Sequence, residues 1–297
     1  MKKDLYSDII IQSLEKLNDY NIEQFHPIYY EKKKIGWINE KNLFILKNNF
    51  SDFCKKKLVI EDIFKSKINI FDEVFDFLIK KGEIKNLIRE KCPVFNSESL
   101  KPKIQFSKKE FFGKEAIFNV ERNILTFFGF PAYGVHCNGW IKEKDKYFMI
   151  LGKRSGCLKS FPGYYDNLIG GGQPSNLSLL KNLFKEAFEE TGLSEKIMRR
   201  STFSSIIKYL HIFNGKLHSS VIAIYNIEIT EDLILQNQDG EISGFEKLEI
   251  SEIFKLLEKK LLKPNCIIPI VDFMLKRMSF IFSSNSKDKI SKILYKA

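Results

Sequence analysis

An α/β protein with a smaller α+β N-terminal domain is the fold class that three features of the sequence predict. From Tyr133 onward, apolar and aromatic runs alternate with polar turns and read as strands. Helical periodicity is interspersed among them, and the first third mixes both kinds of segment over short lengths. The chain has 297 residues, which at roughly 100–200 residues per domain suggests two domains. The expected division is an N-terminal α+β domain over residues 1–119, an α/β domain over residues 120–285 and a helical tail over residues 286–297.

Taken in order, residues 9–17 are apolar at helical spacing, and residues 28–38 read as a hairpin around Lys32-Lys33-Lys34. Residues 71–81 form a second helix stopped by Gly82, and over residues 93–109 the pattern loosens into Asn, Ser, Pro and Lys. Residues 133–141 and 147–152 are strands joined by a turn at Lys142-Glu143-Lys144-Asp145. Residues 206–213 and 221–229 repeat that arrangement around Asn214-Gly215-Lys216. Residues 251–260 and 267–278 then read as helices.

Composition excludes several classes. With 44% hydrophobic and 29% charged residues the chain is a globular mixture rather than a disordered one. No stretch approaches the ~18 consecutive apolar residues of a membrane span. Met1-Lys2-Lys3-Asp4 turns acidic before a signal-peptide core could form and lacks the Arg of a transit peptide. Five cysteines (54, 92, 137, 157 and 266) lie far apart with no CxxC pair, which disfavours a disulfide framework or zinc ribbon and fits a reducing cytoplasm. The net charge of 48 − 37 = +11 raises nucleic-acid binding, but only six of the 48 basic residues are Arg and the lysines are spread along the whole chain. A solvated lysine-rich surface is the expectation, with no nucleic-acid partner, no membrane and a field that favours anionic small substrates.

The segment that carries chemistry is Gly170-Gly171-Gly172-Gln173-Pro174, read as a short polar turn, and the helix that runs from it to Gly192. At about 100° per residue, Glu189 lies near −60° and Glu190 near +40° relative to Glu186, so three carboxylates share one arc. Leu180, Leu183, Phe184, Ala187 and Phe188 fall on the expected core face, between about +60° and +200°. Like charges at these spacings repel, by a few tenths of a kcal/mol per pair. A hard divalent cation reverses that sign. Carboxylates beside glycines that allow close backbone approach describe a phosphoryl or pyrophosphoryl site.

This segment resembles the Nudix box, G-x5-E-x7-R-E-U-x-E-E-x-G-U, where U is a bulky aliphatic residue. In the register that starts at Gly171, the sequence supplies Glu186, Ala187, Glu189, Glu190, Gly192 and Leu193, with Leu177 in place of the first Glu and Lys185 in place of the Arg. Flanking stretches narrow the resemblance: Ile35-Gly36-Trp37-Ile38, Glu121-Arg122, residues 133–140, Lys153-Arg154-Ser155, Phe161-Pro162-Gly163, Asp166-Asn167-Leu168, residues 237–241 and Lys263-Pro264-Asn265-Cys266. Together they resemble the Nudix subgroup once labelled thiamine-pyrophosphokinase-related, which has its own N-terminal domain.

The resemblance implies a Nudix α/β/α sandwich that uses Mg²⁺ or Mn²⁺ to hydrolyse a diphosphate linked to an organic moiety. The implied substrate is thiamine diphosphate and its oxidised or damaged analogues, which lose phosphate to leave the monophosphate. Nucleoside diphosphate derivatives or oxidised nucleotides, and a non-catalytic Nudix-like binding module, stay open as alternatives. Metal ligation is expected at Glu186, Glu190 and Glu189, with the carbonyl of Gly170 as a further ligand. Glu189 is the expected base, slightly ahead of Glu241. Arg154, Gly171, Gly172, Lys185 and His136 are the candidate substrate contacts; a satisfied core role is favoured for His136 and a charge-neutralising role for Lys185, and a surface or interdomain ion pair stays open for Arg154.

Overall fold

The computed structural model describes residues 4–55, 57–67, 69–84, 87–95, 116–230 and 232–295. Most of the loosely patterned stretch over residues 93–109 lies outside them. The N-terminal part runs α1 (Ser7–Lys16), β1 (Phe25–Tyr30), β2 (Lys33–Asn39), α2 (Glu40–Asn49), β3 (Leu58–Val59), α3 (Ile60–Ser66), α4 (Ile70–Lys80), β4 (Lys91–Val94) and β5 (Phe118–Glu121). The β1–β2 hairpin turns at Glu31 and Lys32, both at positive φ, slightly earlier than the lysine run suggests. Strand β1 lies between β2 and β3, and β4 pairs with β5. Their shared core is rich in phenylalanine: Phe71 stacks on Phe118 at 5.0 Å and Phe128 on Phe130 at 5.3 Å.

The remainder runs β6 (Ala132–Glu143), β7 (Lys146–Arg154), β8 (Tyr165–Asp166), β9 (Ile169–Gly172), α5 (Leu179–Thr191), α6 (Glu195–Met198), β10 (Thr202–Phe213), β11 (Lys216–Glu228), β12 (Ile242–Glu249), α7 (Ile250–Glu258), α8 (Ile267–Arg277) and α9 (Ser284–Leu294). The sheet order is β10-β11-β6-β7-β12, with β11 parallel to β6 and the other pairs antiparallel. Beyond Gly139 the edge of β6 pairs with β7, whereas His136 and its neighbours pair with β9, so the sheet divides there. Strand β12 was not foreseen from the sequence. It is an edge strand whose Ser243 and Lys247 are exposed, which hides the apolar alternation.

Strand β11 explains why helices cover both faces. Val221, Ala223, Tyr225 and Ile227 pack with Leu179, Leu183 and Ala187 of α5, while Ile222 and Ile224 pack with α8 on the other side. The result is the expected α/β/α sandwich. On β6 the alternation breaks: Val135 and Cys137 join the α5 side, but the opposite face carries buried His136 and Asn138. Polar side chains on a central strand need partners, and these lead to the site described below.

Packing draws the two units differently from the division at residues 119 and 120. Ile10, Ile11, Leu14 and Leu17 of α1 bury themselves against Phe254, Phe273, Ile290 and Leu294 of the C-terminal unit. Each such side chain contributes ~1.5–3 kcal/mol when fully buried. At the other boundary Val120, Ile124, Phe128 and Phe130 belong to the N-terminal core. The expected tail begins at Ser284 as α9, with Ile290 and Leu294 in the core, so it is an integral layer of the larger unit.

Candidate active site

Helix α5 begins at Ser178, whose hydroxyl accepts from the Lys181 N–H, and ends at Gly192 in the left-handed conformation. With Glu186 at zero and about 100° per residue, the buried positions Asn182, Leu179, Glu190, Leu183, Ala187, Thr191 and Phe184 span from about −40° to about +160°. The core face is therefore rotated toward the carboxylates by roughly 70° relative to the expectation. Leu180 and Phe188, expected in the core, are 44% and 56% exposed. Glu190 is inside, at 7% exposure, and Glu186 stands at the margin with a side chain 16% exposed.

The three glycines form strand β9 rather than a turn, and they lie alongside the helix instead of preceding its N-terminus. The expected phosphate loop at the helix start is accordingly replaced by a strand packed on the acidic face. A Cβ on Gly171 would overlap the Glu186 carboxyl, so only glycine lets that side chain lie flat on the strand. Gly170 pairs with His136 in the β6–β9 ladder, yet its N–H donates to Glu190 Oε2 at 2.8 Å. In an antiparallel ladder a residue's N–H and C=O turn to the same side, so the Gly170 carbonyl also faces away from β6.

Electrostatics distinguish the carboxylates. Burial pushes the Glu190 carboxyl well above the usual carboxylate range, and Asp166 and Glu186 push it further, against the pull of the Gly170 N–H and Lys263. Burial also raises Glu186; Lys185 and Arg122 oppose this and Glu189 reinforces it. Lys185 Nζ donates to Glu189 Oε2 at 2.5 Å and to Glu186 Oε1 at 3.4 Å, so in this geometry it neutralises the cluster. Among the described residues no three His, Cys, Asp or Glu side chains converge into a preformed metal cage. The donor chemistry nonetheless suits a hard divalent cation: the Glu186 and Glu190 carboxylates, both disfavoured as anions, share the β9 seam with the Gly170 peptide.

Two of the candidate substrate contacts, Arg154 and His136, are bonded within the fold. Arg154 is buried and committed: its Nη1 donates to Asp166 Oδ2 at 3.0 Å and its Nη2 to the Ser160 carbonyl at 3.1 Å. It is an ion pair within the domain, not an open guanidinium. The His136 ring is buried, with Nδ1 at 3.0 Å from Asn167 Oδ1 and Nε2 at 3.4 Å from Asn265 Nδ2. Burial and the Lys263 charge lower its pKa to about 4, so the ring is neutral near pH 7. It sits in a network with Asn167 and Asn265, in keeping with the core role favoured from the sequence.

Glu241 is exposed, its N–H donating to Asp239. Its loop docks on the end of α5, where the Gln238 N–H donates to the Glu189 carbonyl at 2.8 Å, but no contact among the described residues brings the Glu241 carboxylate onto the cluster. Three groups had no role assigned from sequence: Arg122, whose guanidinium lies over Gly172, and Asp166 and Lys263, joined at 2.8 Å. Each belongs to a flanking stretch of the resemblance, and that was the available signal.

No family model matches the chain. It is 27% identical over 279 residues to Nudix hydrolase 20, chloroplastic, of Arabidopsis thaliana, covering 88% of this chain and 72% of that protein. It is 26% identical over 270 residues to Nudix hydrolase 24, chloroplastic, of the same plant, covering 89% and 70%. Among solved structures it is similar to the Nudix domain of Shewanella oneidensis NrtR complexed with ADP ribose, at 14% identity and a TM-score of 0.40 over 52% of this chain and 90% of that one. A C. elegans Ap4A hydrolase is similar at 13% identity and a TM-score of 0.36, over 49% and 98%. No helix among the described residues is long and apolar enough to cross a membrane. The plant relatives, matched over most of the chain, and the box spacing of Glu186, Glu189, Glu190 and Gly192 agree in supporting one family, the Nudix hydrolases, which act on pyrophosphate bonds.

Proposed function

We propose that the chain hydrolyses a diphosphate linked to an organic moiety, with thiamine diphosphate and its oxidised or damaged analogues as the substrate class. The observation that carries the chemistry is the seam where Glu186 lies on Gly171 and Glu190 accepts from Gly170. The resemblance of the flanking stretches supports the thiamine class.

Glu186, Glu190 and the Gly170 carbonyl would hold Mg²⁺ or Mn²⁺, with Glu189 close by. When bound, such a cation supplies charge stabilisation to the diphosphate and makes water a stronger nucleophile at neutral pH. Glu189, half-exposed and held by Lys185, orients the water and takes its proton; Glu241 is the second candidate for that step. The water oxygen bonds to the terminal phosphorus, the bridging P–O bond breaks, and the monophosphate and inorganic phosphate leave. Lys185 steadies the carboxylates before substrate enters, and the bare β9 backbone at Gly171 and Gly172 leaves room beside them. The N-terminal unit selects the organic moiety. Five free cysteines support a reducing compartment such as the cytoplasm.

The test is phosphate release with Mg²⁺ or Mn²⁺ from thiamine diphosphate, its oxo and oxy analogues, ADP-ribose, NADH and oxidised dGTP, beside a Glu190→Gln control. Selective release from the thiamine compounds, lost in the control, is the expected result. Release from the nucleotides instead would replace the substrate class. Leu177 and Lys185, at charged positions of the box, favour a second reading of binding without turnover. Ligand binding with no release from any compound would select it.

A further inference from the structure

A guanidinium fork suits a diphosphate, and Arg154 is already committed to Asp166 and Ser160. We infer that Arg122, supplied by the segment that closes the N-terminal core, is the residue that grips the substrate's diphosphate at the β9 seam. This rests on the hydrolase reading above and names a residue that lies outside the box.

Three observations point to it. Arg122 begins the 3-10 turn Arg122–Ile124 after β5, and its backbone N–H donates to the Glu90 carbonyl at 2.8 Å, which fixes where its side chain starts. Its guanidinium lies over Gly172, where an added Cβ would sit 2.5 Å from Nη2 and 2.9 Å from Cζ. Successive residues of a strand face opposite sides, so Glu186 meets β9 at Gly171 and Arg122 meets it from the other side at Gly172. The guanidinium thus stands across the strand from the carboxylates.

The state of this arginine also differs from that of Arg154. Its side chain is 34% exposed and its ion-pair partner is the equally open Glu90, with the Cys92 thiol alongside. A guanidinium has five N–H donors in a planar fork, more than one carboxylate uses, and the fork matches phosphate oxygens. The pair is partly buried rather than sealed in the core, so a diphosphate can share the guanidinium with Glu90. Val120 and Ile124, on either side of Arg122, are fully buried in the N-terminal core. The N-terminal unit therefore delivers the guanidinium, and the active site is incomplete without that unit.

The experiment uses the full chain with Mg²⁺ and two readouts. Calorimetry measures binding of methylene diphosphonate, which cannot be hydrolysed at its bridge. Steady-state kinetics follow whichever diphosphate of the panel the wild type turns over. Arg122→Ala should weaken diphosphonate binding and raise KM about 10–100-fold, in line with a charge-assisted hydrogen bond, and Arg122→Lys should recover only part of the loss. Glu90→Gln, which removes the ion pair and leaves the guanidinium free, should bind as tightly as wild type or tighter. Equal losses in Arg122→Ala and Glu90→Gln, with matching falls in Tm, would show a structural ion pair and overturn the assignment. So would wild-type binding in Arg122→Ala, or no diphosphonate binding by the wild type. Diphosphonate binding that depends on Arg122, without turnover of any substrate, would sink the hydrolase reading and leave the assignment standing.

Discussion

Two buried carboxylates, Glu190 and Asp166, lie on either side of strand β9 and have opposite fates. Asp166 is met by Lys263 at 2.8 Å, Arg154 at 3.0 Å and the Cys266 thiol at 2.8 Å. Burial alone would raise its pKa, but Lys263 above all, with His136 and the Cys266 hydrogen bond, brings it down to about 2. Glu190 has one backbone N–H bonded to it and feels Lys263 more weakly than burial, and burial with two carboxylates drives it the other way. A buried charge that is fully partnered holds a structure together, whereas one left short of cations is a cost that folding does not repay by itself. These opposite fates are what a scaffold role for Asp166 and the proposed metal-binding role for Glu190 would each require.

The largest expected effect lies on the scaffold side. Asp166→Asn leaves Lys263 and Arg154 buried without their counter-charge and should cost ~3–5 kcal/mol of stability, read by denaturant unfolding. Loss of activity should follow the loss of folded protein. An Asp166→Asn chain as stable as wild type would erase the distinction drawn here. Glu190→Gln should do the reverse: the amide still accepts from Gly170 and no longer buries an unfavoured charge, so Tm stays level or rises. Turnover should fall more than ~100-fold, beyond the loss typical of a group that merely supports a metal ligand. A fall in Tm with activity preserved would make Glu190 scaffold as well.

Why the sequence led to one of these carboxylates and not the other follows from their separations. Glu186, Glu189 and Glu190 lie within five positions on one helix, so periodicity alone groups them. Asp166, Arg154 and Lys263 come from three segments, and only the division of the sheet between β7 and β9 brings them together. Arg154 looked available because a lone strand-end arginine gives no hint of a partner 12 residues on. Long helices and hairpins were legible from 133 onward for the same local reason. The glycine strand β9 was not, since three glycines carry no side-chain pattern and their pairing with β6 is a long-range fact. The orientation of α5 was misjudged because its core face includes Asn182 and Glu190, polar residues that a hydrophobic count assigns to solvent.

A smaller effect sharpens the contrast at the edge of the cluster. Lys185 is the cation that bonds Glu189 and Glu186, and its ammonium is stabilised by them against burial. Lys185→Gln should lower stability without divalent cations by only about 0.3–0.5 kcal/mol, the scale of a surface helix pair. Mg²⁺ should then raise Tm more in the variant than in wild type, because the cation takes over the missing charge. Equal Mg²⁺ shifts in both would mean that the cation and Lys185 do not address the same carboxylates.

A last effect concerns a third carboxylate, Asp4, held by neither cations nor a cluster. Its Oδ1 accepts from the Ser283 N–H at 2.9 Å and from the Ser7 hydroxyl at 3.1 Å, tying the start of α1 to the start of α9. The Ser283 N–H brings the carboxyl from 3.8 down to about 2. A folded pKa below the unfolded one adds stability that is complete above about pH 4 and disappears as pH falls toward 2. Asp4→Asn keeps an acceptor for Ser283 but cannot titrate. The stability gap between wild type and Asp4→Asn should therefore be constant from pH 7 to about 4 and close between about 4 and 2. A gap that persists at pH 2 would mean that shape rather than charge secures this contact. In that case hydrogen bonding to backbone N–H groups would not offset carboxylate charge here, and the lone Gly170 N–H would be a weaker guide to the state of Glu190.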